Sequence, residues 1–244
     1  MRNIIHFLPL VTTAISIPFT LVLYRHWRKK PDAWYFLWWM LGVFFYGTGT
    51  LTESLTTLLG WSPLLFRSWY ITGALLGGAP LAQGTVYLFF SDRTAHRLAF
   101  ALALTIICVS VLVLLSPLEV SKAEPYRLSG AVLEWQWLRL FTPIINLYAF
   151  IFLVGGAFWS AYKYLRKGKP FKSRFWGNLF IAVGALLPGI GGGSAKAGFV
   201  EVLYITELIG IVLIWTGYRI IHKSTAGSVY AKQQKDEFHN GGKS

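Results

Sequence analysis

The residues best placed to do chemistry are carboxylates in apolar surroundings. Glu207 stands in LYITELIGI (Leu203–Ile211), and Glu53 stands in TGTLTESLT (Thr48–Thr56). Inside a lipid-embedded helix a charge is costly, so it faces the bundle interior or water and finds a partner there. Two chemistries fit such a pair. One is a structural ion pair that fixes helix register, with Arg67 or Arg139 as the cation. The other is a ligand site or a proton-linked carboxylate. The polar residues at similar depth are Thr72, Gln83, Asn146 and Thr206. Together they predict a polar cavity opening to the outer side, with Glu207 at its floor and Glu53 near its rim.

Other reactive groups point to no further chemistry. His26, His96 and His222 fall at the ends of apolar runs, and Asp92 and His96 lie one helical turn apart. No HxxxH or HxxE pairing occurs, so no metal site is expected. No two runs place histidines at matching depth inside the core, which argues against bis-histidine haem. GIGGGS (Gly189–Ser194) lacks the Lys-Ser ending of phosphate-binding loops. Cys108 is the only cysteine, which excludes an intrachain disulfide. The chain therefore shows no recognisable catalytic set, and neither an enzyme nor a bound cofactor is expected.

The elements that position these residues follow from composition. The chain has 244 residues, of which 55% are hydrophobic and only 14% charged. Seven apolar runs approach the length of about 20 residues that crosses a hydrocarbon core: about 5–24, 34–57, 68–90, 97–116, 135–162, 174–193 and 200–221. Each can satisfy its own backbone as a helix in lipid. The first carries no small-x-small cleavage site and runs into Arg25, Arg28, Lys29 and Lys30, so it reads as a span and not a removed leader. Most of the tryptophans, Trp69 among them, fall near span ends as an interfacial belt. Polar residues 223–244 form an expected flexible cytoplasmic tail.

Charge sets the orientation. With the N-terminus outside, the inner side holds 17 of the 23 Lys and Arg but 4 of the 10 acids. That is the positive-inside pattern of a multi-pass cell-membrane protein with a cytoplasmic C-terminus. Topology alone explains the basic excess, so no nucleic-acid partner is expected.

The chain also echoes itself. Tyr70-Ile71-Thr72 recurs as Tyr204-Ile205-Thr206, 134 positions on, and Pro9 and Pro143 share the same offset. At that offset Glu207 replaces Gly73. The predicted fold is all-α: seven transmembrane helices in a 3+1+3 parallel repeat. Repeat 1 covers about 5–90, the linker helix 97–116 and repeat 2 about 135–221, in one domain of residues 1–222. Span 3 reads as the central helix. Gly73, Gly77, Pro80 and Gly84 give it a small-residue face, and Pro80 and Pro188 mark places where a helix could bend or open.

This architecture resembles that of the sugar-efflux and PQ-loop transporters, and of the opsin and receptor-type seven-helix proteins. The Pro-Gln dipeptide of the PQ-loop group is absent. Opsins carry a retinal Schiff-base lysine in the seventh span, and 200–221 contains no lysine, so retinal binding is not expected. The resemblance implies a small-molecule transporter or ligand-binding protein. The alternative is an accessory or sensory subunit bound to another membrane protein. The expected partners are the bilayer, a small ligand or such a protein.

Overall fold

The computed structural model describes residues 4–124 and 127–241, with side chains through residue 224. The protein is all-α, 87% helical, with no strand among the described residues. Helix α1 spans Leu8–Lys29, α2 spans Trp34–Leu59, α3 spans Pro63–Trp69 and α4 spans Ala79–Phe89. Helix α5 covers Asp92–Leu115, α6 Phe141–Ala149, α7 Gly156–Arg166, α8 Lys172–Lys196 and α9 Val200–Gly241. The stretch expected as a tail from 223 overlaps the end of α9, and its side chains from 225 lie outside the described residues.

Five helical segments are long and apolar enough to cross a membrane: Ile4–Lys29, Asp92–Leu115, Gln136–Arg166, Lys169–Lys196 and Val200–Ser224. This is compatible with a membrane protein. The other two expected spans differ for physical reasons. Helix α2 is 26 residues long, but Trp, Tyr, Gly and Thr lower its hydropathy. The third expected span is broken. Helix α3 continues as a π-helical turn at Tyr70–Leu75, the chain opens at Leu76–Gly78, and α4 restarts with Pro80 in its first turn. Proline suits that place because the N–H it lacks has no intrahelical acceptor there. A Cβ on Gly77 would lie 2.5 Å from the Gly73 carbonyl oxygen, so only glycine fits the break. Pro188, by contrast, sits inside an unbroken α8.

These two segments are the most interior. Every residue from Ala79 to Val86 in α4 is buried, and so is the Thr50–Thr57 stripe of α2 apart from Leu51 and Leu55. Lipid-facing helices must be apolar, whereas interior ones need only packed and satisfied neighbours. The packing closes a ring: α1 against α2, α2 against α4, α4 against α6 and the π turn at Phe150–Gly155, α7 against α8, α8 against α9, and α9 back against α1. Helix α5 stands beside the ring on α4 and exposes Phe100, Leu104, Ile107 and Val111. The 116–140 connection folds over one end of the ring, burying Val132, Leu133 and Leu138 among Phe66, Tyr70 and Val113.

Helices α8 and α9 meet through glycines in antiparallel register. A Cβ on Gly184 would lie 2.7 Å from the Gly210 oxygen, and one on Gly217 would lie 2.4 Å from the Gly177 oxygen. Close backbone approach is what holds helices together in lipid, where apolar burial offers little. Replacing Gly184 or Gly217 by leucine is therefore expected to destabilise the fold by about 3 kcal/mol or more through overpacking. Gly193→Ala, with nothing within 4 Å of its added methyl, serves as the neutral control. Thermal unfolding in mild detergent checks both, and an unchanged Gly184→Leu protein would contradict this register.

Candidate functional site

Of the eight predicted site residues, the structure brings two together, Glu53 and Glu207. Glu53 comes from the buried polar stripe of α2, and Glu207 enters from α9, two turns into its helix. The two carboxyl groups lie within hydrogen-bonding reach of one another. Glu53 is 4% exposed. Its Oε1 accepts from the Trp69 indole N–H at 2.9 Å. The Oε2 of each glutamate is buried and receives no N–H or O–H donor from the described residues. The Tyr46 hydroxyl donates to the Glu207 backbone carbonyl at 2.9 Å, tying α2 to α9 at the same level. Tyr204, 2% exposed, lies within electrostatic reach of both carboxyls and of Glu201 and Arg127 nearer the 116–140 connection.

Local sequence explains how this pocket of polarity survives inside an apolar bundle. On α2, Thr50, Thr52, Ser54 and Thr56 return their hydroxyl protons to carbonyls three or four residues back. Thr13 on α1 meets Thr50 at 2.9 Å. Each hydroxyl is thereby satisfied without solvent. Gly49 lets α2 approach this level closely, since a Cβ there would sit 2.9 Å from Gly73 Cα.

Among the described residues, no arginine joins the pair. Arg67 donates to the Ser116 carbonyl at 3.0 Å, and Arg139 donates to Gln136 Oε1 at 2.7 Å. The described ion pairs are His6–Glu201, Lys122–Glu119 and Arg127–Glu124, all elsewhere. Both arginines bond to the folded 116–140 connection, whose last residues, 135–140, the apolar pattern assigns to the fifth span. The Arg–Glu pair expected from sequence is therefore replaced by a carboxyl–carboxyl contact.

The remaining predicted residues serve packing or the surface. Gln83 is buried where α4 meets α5 and α6, donating to the Ala95 carbonyl at 3.0 Å and accepting from the Tyr148 hydroxyl. Asn146 is exposed. Thr72 returns its proton to Ser68, and Thr206 returns its own to Val202 and Leu203 while packing over Gly191. The described cavity, of about 320 Å³, lies between α2, α4 and α5 and is apolar. Its walls include Trp38, Phe45, Leu76, Pro80 and Ile106. Glu53 is buried and Glu207 half-buried, and the Oε2 of each carboxyl is buried.

Sequence reasoning placed Trp69 in an interfacial belt and passed over Tyr46. The available signal was spacing: Trp69 stands four residues before Gly73, so a bulky ring and a bare backbone share one helix face. Two histidines also meet unexpectedly. His26 of α1 and His222 of α9 stack at 4.3 Å between centroids, so two spans do place histidines at one depth. No cluster of three or more His, Cys, Asp or Glu is close enough to hold a metal among the described residues.

No protein-family profile matches this chain, and no curated protein is detectably similar to it in sequence.

The indole bond gives a direct test. Trp69→Phe keeps the ring but strips the donor from a buried carboxyl, and it is expected to cost about 1–3 kcal/mol of stability. Combined with Glu53→Gln, the loss should be smaller than the sum of the two single losses. Additive losses in a double-mutant cycle read by thermal unfolding would contradict the contact.

Proposed function

We propose that this protein is a multi-pass membrane transporter for a small molecule, and that the Glu53–Glu207 pair carries the proton that drives it. One observation supports this reading above the others: two carboxyls from opposite sides of the ring, each with a buried Oε2, face each other and pair with no cation among the described residues. Carboxyls in such contact are held by a shared proton. Parting them, by helix movement or by a ligand, changes what they can bind. A pair of this kind couples proton binding to a conformational step.

The proposal includes seven spans built as a 3+1+3 repeat, with the N-terminus outside and the C-terminus cytoplasmic. Several contacts support the duplication. Span 1 of each half packs on span 2 of its own half and on span 3 of the other. Tyr70 bonds Thr142 at the start of the second half, and Tyr204 packs edge-on against His6 at the start of the first. Spans 2 and 3 meet through glycines in both halves, Gly49 on Gly73 and Gly184 on Gly210. The broken third span supports the transport reading, since discontinuous helices accompany midplane binding sites in transporters.

The test is charge movement in proteoliposomes challenged with a panel of sugars, amino acids, amines and carboxylic acids. At least one compound is expected to evoke a proton-dependent current in the wild type. Glu207→Gln is expected to respond like protein-free vesicles while unfolding at the wild-type temperature. Full currents from Glu207→Gln would contradict the proposal.

A further inference from the structure

The basic end of the α1–α9 seam holds a second cluster that the carboxyl pair does not use. His26 and His222 are 196 residues apart, yet their rings stack at 4.3 Å with a 30° tilt. The Tyr218 hydroxyl meets His26 Nδ1 at 2.6 Å and fixes that ring. Phe36 of α2 lies beside His26, with 5.7 Å between ring centroids. Lys29, one turn beyond His26, lies within electrostatic reach of it. Arg219 stands one turn before His222 on α9. The titratable group that α2 brings nearby is Tyr35, which acts on Tyr218. Among the described residues, no carboxylate pairs with Lys29, Arg219, His26 or His222.

This arrangement has donors in excess and no acceptor of charge. Topology explains why the end is basic, but not why two imidazoles converge there and are pinned by a tyrosine. A metal fits poorly: only two ligands are present, and the surrounding lysine and arginine repel a cation. A haem between the rings is excluded by their stacking distance. We propose that the His26–His222 pair, with Lys29 and Arg219, binds a phosphate group at the basic end of the seam.

Phosphate suits each feature. Its oxygens accept from several N–H donors at once. Its charge suits an end of the seam where Lys29 and Arg219 stand beside the two rings. The seam ends where a bilayer would place its headgroups, so the phosphate could be free or carried by an anionic lipid. The site rests on these contacts alone, and neither transport nor the Glu53–Glu207 pair enters the argument.

The test titrates inorganic phosphate into the detergent-purified full chain, followed by calorimetry. A parallel arm compares thermal stability in nanodiscs of phosphatidylcholine with and without phosphatidic acid. Binding of the wild-type protein is expected in at least one arm. It is expected to weaken about tenfold in His222→Gln, an exposed position, and similarly in Lys29→Gln. Binding of inorganic phosphate assigns a free ligand, and a response only to phosphatidic acid assigns a lipid headgroup. No binding in either arm, or binding unchanged in both variants, would overturn the proposal.

Discussion

Two carboxyl groups set against each other, with no cation paired to either among the described residues, constrain everything around them. Each carboxylate removed from water demands a partner, and an unpaired one inside a low-dielectric bundle is costly. Glu53 and Glu207 partner each other, and Trp69 supplies the indole donor to Glu53. That contact requires α2 and α9 to meet at one level, which Tyr46 secures through the Glu207 carbonyl. It also explains why α2 carries threonines where a lipid-facing helix would carry leucine. The interior of this ring is polar on one side by necessity, and its apolar residues face outward on α5 and its neighbours.

Close backbone contact does the rest of the holding. Gly49 lies on Gly73, Gly177 on Gly217, and Gly184 on Gly210, so helices pack at distances that no side chain permits. The same small residues allow the third expected span to break at Gly77–Gly78 without losing its place. A helix opened in mid-bundle frees backbone groups, which are tolerated at that depth only when protein surrounds them. The opened residues Leu76–Gly78 are half-buried, and Ala79–Val86 directly after them are buried.

Much of the helical architecture was legible in the sequence because apolar length is a strong signal. Five of the apolar runs are helices able to cross a membrane. Helix α2 and the broken α3–α4 segment are weaker cases, since interior position replaces hydropathy as the reason for their place. The site was legible only in part. Glu53 and Glu207 stood out because each is a charge among apolar residues. Their pairing with each other did not, because electrostatics alone favours an arginine. Arg67 and Arg139 were unavailable once the 116–140 connection folded and offered Ser116 and Gln136 as acceptors. Gln83 had the right depth but is taken by Ala95 and Tyr148, and depth alone cannot tell a lining residue from a packed one. The stacking of His26 on His222 depends on how α1 crosses α9, which no local pattern encodes.

The central claim is that α2 and α9 meet through these two carboxyls. The most direct measurement places cysteines at Glu53 and Glu207 in a Cys108→Ala background and treats native membranes with a short bifunctional thiol reagent. The account predicts an intramolecular link between the two positions, formed in the full chain and absent from each single-cysteine protein. Failure to link, while each cysteine alone reacts with a monofunctional reagent of similar size, would contradict it.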